Sequence, residues 1–91
     1  MPEKTVTVGS NVGLHARPAS LFVQAAARQP VKVKIAKPGG DPVDARSILL
    51  VLGLDARGGQ EVILSAEGDG AEQALEELTA VVAANHDAEA A

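Results

Sequence analysis

Two short segments of the chain alternate apolar and polar residues with a period of two. In residues 4–8, Val6 and Val8 fall on one face while Thr5 and Thr7 fall on the other; in residues 31–35, Val31, Val33 and Ile35 alternate with Lys32 and Lys34. That pattern predicts strands of a sheet with one wet face. Residues 60–66, Gln-Glu-Val-Ile-Leu-Ser-Ala, lie between glycine-rich turns and read as a further strand. The turn Pro-Gly-Gly-Asp-Pro at 38–42 precedes Val43, Asp44 and Ala45, which can begin a short returning strand.

Helical spacing appears twice. Over residues 16–28, Ala19, Phe22, Val23 and Ala26 fall on one stripe, and Pro30 marks a stop. Over residues 71–84, Ala74, Leu75, Leu78, Val81 and Val82 do the same, with Asp69 and Gly70 expected to start the helix and Glu72, Glu76 and Glu77 favouring its N-terminal half. The apolar run 47–54, Ser-Ile-Leu-Leu-Val-Leu-Gly-Leu, fits a buried strand or a short helix. Ser47 as a cap and Gly53 as a stop favour the helix. Residues 85–91 read as a frayed tail. The resulting order is strand, helix, strand, strand, short helix, strand, helix. It predicts an α+β fold with helices on one face of an antiparallel sheet.

Composition narrows the function. Ninety-one residues suffice for one domain with a two-layer core. The core must be aliphatic, because Phe22 is the only aromatic residue. Twelve acidic against eight basic side chains give a net charge of −4, which argues against non-specific nucleic-acid binding. Without cysteine, disulfides and thiolate metal sites are excluded. No apolar run approaches the length of a membrane span, and no signal-peptide core opens the chain, so a cytoplasmic location is expected. No metal or cofactor is expected either: the acidic residues of the Glu-Gly-Asp-Gly turn at 67–70 lack calcium-loop spacing, and His86 is read as solvated.

The candidate chemistry lies at 13–20, Gly-Leu-His-Ala-Arg-Pro-Ala-Ser. Gly13 permits a sharp turn. Pro18 is tolerated in a first helical turn, where its missing N–H has no intrahelical acceptor to lose. His15 is then expected at or near a helix N-cap, beside the free amides of Ala16 and Arg17. Such amides and the helix dipole favour anions, and the Arg17 guanidinium matches phosphate oxygens. The same positive end disfavours imidazolium and favours a neutral, nucleophilic ring. On the residues alone, a capping His15 and a solvated Arg17 are the commoner reading of such a pattern.

The run Gly13-Leu14-His15-Ala16-Arg17-Pro18-Ala19 resembles the active-site signature of the histidine-containing phosphocarrier, or HPr, family of the bacterial phosphoenolpyruvate-dependent sugar phosphotransferase system. The likeness extends along nearly the whole chain, through Arg46 to Leu54 and the final strand and helix. It implies an open-faced β-sandwich, βαββαβα, with four antiparallel strands and three helices on one side. It further implies that His15 accepts a phosphoryl group on Nδ1 from phosphorylated enzyme I and passes it to enzyme IIA components, with Arg17 stabilising the phosphate. Ser47 matches the serine that a regulatory kinase phosphorylates in many Gram-positive members; as residues go, it is equally a plain N-cap. Ile48, Leu49 and Leu52 can be core or in part an exposed apolar patch beside His15, and the resemblance favours partner docking for some of them; a shuttle of this kind is expected to be monomeric. The chain departs from the family at Val12, where a small polar residue is common, and at Leu50 and Asp55, where glycine is common in one branch.

An enzyme with its own turnover fits poorly, since no acid–base pair accompanies His15 and no Walker loop is present. The alternative is a regulatory module of the same fold acting through Ser47, or a carrier in a nitrogen-related branch.

Overall fold

The computed structural model describes residues 2–9 and 16–84. The expectations for His15, Val12, His86 and the 85–91 tail fall outside those residues. Seven elements follow in the expected order: β1 (Glu3–Thr7), α1 (Ala16–Ala27), β2 (Val33–Ala36), β3 (Val43–Asp44), α2 (Ile48–Gly53), β4 (Glu61–Ala66) and α3 (Ala71–Ala83). The run at 48–53 is helical, the reading that the Ser47 cap favoured.

The strands form one sheet in the order β1-β4-β2-β3, every pair antiparallel. Its register separates the two faces. Lys4, Leu64, Ile35 and Val43 lie side by side across the four strands on the helix-covered face. The neighbouring row, Glu3, Ser65, Lys34 and Asp44, lies on the open face. This is the one-wet-face sheet that the alternation in 4–8 and 31–35 predicts.

Helix α3 packs across β1, β4 and β2, while α1 packs on α3 and α2. Phe22 is fully buried among Ile35, Leu64, Leu75 and Leu78 in a single apolar cluster. Burial of a side chain of this class stabilises by roughly 1.5–3 kcal/mol. The Gln29 amide ties the end of α1 to α3, donating to Glu77 Oε2 at 2.7 Å.

Several element ends differ from the sequence reading. Strand β1 ends at Thr7, and Val8 instead bonds the turn before β4: its N–H donates to the Gln60 carbonyl at 2.8 Å and its carbonyl accepts from Gly59 N–H at 3.0 Å. Strand β2 begins at Val33, not Val31, because its partner β4 stops at Ala66 opposite Val33. Gly53 does not stop α2; it is the last helical residue, and Asp55, at φ 51°, makes the reversal. Aspartate tolerates the left-handed region better than most residues, its short polar side chain bonding locally. At α3 the N-cap is Gly70 at φ 89°, with no side-chain cap, so Asp69 does not close the helix start.

Candidate phosphoryl-transfer site

Helix α1 begins at Ala16, immediately after His15 in the chain. Ala16, Arg17 and Pro18 occupy its first turn, where backbone N–H groups have no acceptor within the helix. Pro18 therefore costs α1 no hydrogen bond, and it is buried, as is Ala19 behind it. These two residues and Phe22 hold the start of α1 against the core. Arg17, between them and His15, points the other way: it is exposed and makes no hydrogen bond or ion pair with any other described residue. A guanidinium left free beside a helix N-terminus can close on a dianion with two parallel N–H bonds. Among the described residues, nothing competes for it.

The second half of the predicted site is α2. Ser47 sits at its N-cap in extended backbone, and its hydroxyl accepts a hydrogen bond from Leu50 N–H at 3.3 Å. The preceding residues lock the approach to this cap. Asp44 accepts from the Arg46 backbone N–H at 2.9 Å and from its guanidinium at 3.2 Å, and the Ser47 N–H donates to the Asp44 carbonyl. The Arg46 side chain, then its backbone N–H, hold the Asp44 carboxyl below the usual carboxylate range.

Only Val51 of α2 is fully buried. Ile48, Leu49, Leu50 and Leu52 are 38%, 79%, 48% and 37% exposed, a continuous apolar surface on one short helix. The sequence singled out Ile48, Leu49 and Leu52 and missed Leu50. The signal for Leu50 lay in the length of the run: a six-residue helix anchored by one valine cannot bury its four other large aliphatic residues. Helix α2 packs on α1, whose first turn holds Arg17.

Among the described residues, no group of three or more His, Cys, Asp or Glu side chains could hold a metal ion, and no helix is long and apolar enough to cross a membrane.

The sequence and the fold are shared with known proteins. The family model described as the phosphorylation site of the HPr component of the phosphotransferase system matches residues 2–84. The chain belongs to the HPr family. The phosphocarrier protein HPr of Streptomyces coelicolor is 55% identical over 83 residues, covering 91% of this chain and 89% of its own. The HPr-like protein Crh of Bacillus subtilis is 43% identical, covering 90% and 95%. The crystal structure of HPr from Bacillus anthracis superposes with a TM-score of 0.83 at 42% identity, over 89% of this chain and 95% of that one. The open-faced α+β sandwich of the HPr family is therefore the fold of this chain, and its general role is that of a phosphotransferase-system phosphocarrier.

Proposed function

We propose that residues 1–91 act as one cytoplasmic carrier domain that accepts a phosphoryl group on His15 Nδ1 from phosphorylated enzyme I and delivers it to enzyme IIA components for sugar uptake. In each transfer the N–P bond of the donor histidine breaks as the acceptor imidazole nitrogen bonds to phosphorus, so the protein is acceptor in one reaction and donor in the next, a carrier and no enzyme with a substrate of its own. The observation that carries this reading is the exposed Arg17, without a partner among the described residues, in the first turn of a helix that starts one residue after His15. Free amides of Ala16 and Arg17, the helix dipole and the guanidinium together supply positive potential to a bound phosphate. The apolar surface of Ile48, Leu49, Leu50 and Leu52 serves docking to both donor and acceptor. A carrier that presents one face to successive partners works as a monomer, although a relative from Thermoanaerobacter tengcongensis has been crystallised as an HPr dimer.

A second reading has its own support. Ser47 lies at the edge of the docking surface and caps its helix, so a phosphate there would alter docking; a serine kinase and phosphatase would then control the carrier. The B. subtilis relative Crh is a catabolite repression HPr. A nitrogen-related acceptor in place of a sugar-linked one requires the same His15 chemistry.

Incubation with phosphoenolpyruvate and enzyme I, followed by intact-mass measurement, tests the carrier role. One phosphoryl group, labile in acid and stable in mild base, is expected on the wild type and none on His15→Ala. A His15→Ala protein that still gains the group would move the assignment elsewhere.

A further inference from the structure

Gly9 lies just past the end of β1, and its backbone is pressed against the last turn of α3. Its N–H donates to the Val82 carbonyl at 3.0 Å. A Cβ placed on Gly9 would stand 2.6 Å from the Ala83 carbonyl carbon, closer still to its oxygen, and 3.1 Å from the Ala84 oxygen. Those atoms are all backbone, so no rotamer change makes room. Gly9 is not among the residues with positive φ. What demands glycine here is the wall, not the torsion angle.

The neighbouring residues make this contact an anchor. Val8 is buried and bonded on both sides to the turn before β4. Val82, whose carbonyl receives the Gly9 N–H, is buried in the core cluster. On the far side of His15, Ala16 opens a helix that packs on α3 as well. Residues 10–15 are all that separates Gly9 from Ala16. Whatever path they take, α3 braces the elements at both ends.

We infer that Gly9 is a positioning residue for phosphoryl transfer: its missing side chain lets the exit of β1 seat on the C-terminal turn of α3, which sets where the chain departs toward His15. The inference rests on the phosphocarrier reading above. A methyl group at position 9 must push either the exit of β1 or the end of α3 away by the order of an ångström. Group transfer between two proteins tolerates little of that, since a misplacement of about 1 Å can cost about 10²-fold in rate.

The test is Gly9→Ala, with phosphoryl acceptance from phosphorylated enzyme I followed well below the melting transition and the wild type run in parallel. We expect kcat to fall roughly tenfold or more with KM nearly unchanged, because the α2 docking surface is untouched. The His15 ring resonances should also titrate at a different pH in NMR spectra. A protein that melts lower yet transfers at the wild-type rate, with an unchanged His15 titration, would overturn the inference and leave Gly9 a packing glycine. If Gly9→Ala does not fold, Ala83→Gly replaces it: this residue is exposed, and the change only softens the wall. A smaller loss of kcat in the same direction supports the inference, and an unchanged kcat overturns it. A wild type that accepts no phosphate would overturn both this inference and the carrier reading, and so is told apart from the failure of Gly9 alone.

Discussion

The Ser47 hydroxyl accepts a hydrogen bond from the Leu50 amide at 3.3 Å, and this bond joins the candidate regulatory serine to the middle of the exposed apolar surface proposed for docking. On the proposed regulatory reading, structure and regulation meet at one oxygen atom. Ser47→Ala should lose about 0.5–2 kcal/mol of stability, the usual loss for a removed N-cap, and melt several degrees lower. Ser47→Asp keeps a capping oxygen and should melt no lower than the wild type. It places a charge beside Ile48 and Leu49, however, which must be desolvated on docking, so acceptance at His15 should slow. Calorimetry and transfer kinetics on both variants separate the cap from the switch; an equally fast Ser47→Asp leaves Ser47 as a cap only.

Arg17 should matter to transfer and not to folding. It is exposed and has no described partner, so Arg17→Lys and Arg17→Glu should both melt like the wild type. Lysine keeps the charge but loses the two-pronged geometry, and transfer should slow; glutamate repels the incoming phosphate and should be slower still. Hydrogen bonds to charged groups are worth about 1.5–3 kcal/mol, so a loss of roughly tenfold or more is expected for glutamate under subsaturating enzyme I.

Leu49 and Val51 lie two residues apart and should respond in opposite ways. Leu49 is 79% exposed, so Leu49→Asp should change stability by no more than about 0.5 kcal/mol while raising the KM for phosphorylated enzyme I. Val51 is fully buried, and Val51→Ala should cost up to about 1.5–3 kcal/mol in chemical denaturation. A Leu49→Asp protein with wild-type KM would remove α2 from the docking surface.

At Asp55 the backbone is left-handed, with φ 51°. Asp55→Gly and Asp55→Asn should be at least as stable as the wild type, because both accept that conformation. Asp55→Val should be less stable by about 1–2 kcal/mol. The ion pair to Arg57, 3.4 Å long and exposed on both sides, is too solvated to reverse this order. Urea midpoints at constant m-value give the ranking.

Asp44 supplies a pH dependence. The Arg46 side chain and backbone lower its pKa in the folded state, so near pH 4 the unfolded chain binds the proton more readily. The stabilisation is complete above the unfolded pKa and is lost as pH falls through the lower, folded one. Asp44→Asn should therefore flatten the acid side of the stability profile and leave its slope at pH 6–8 unchanged. The effect is small because Arg46 is half exposed. Thermal melts of both proteins between about pH 2 and pH 8 would show it.

The order of elements, the wet and dry faces of the strands and both long helical stripes are legible from residue periodicity, because a sheet with one buried face and a helix with one buried stripe each impose a fixed repeat. The signature around His15 and Arg17 is legible for a similar local reason: proline, a free arginine and a helix start suit one another within a single turn. Element ends are not local. Val31 has the residue type of a strand but no opposite residue on β4, and Gly53 has the residue type of a stop but the chain reverses at Asp55. The exposure of Leu50 likewise depends on α2 being too short to turn more than Val51 inward. Gly9 is the clearest case. Nothing in its sequence neighbourhood or its torsion angle calls for glycine, and only the carbonyls of Ala83 and Ala84, brought there from the far end of the chain, leave no room for a side chain.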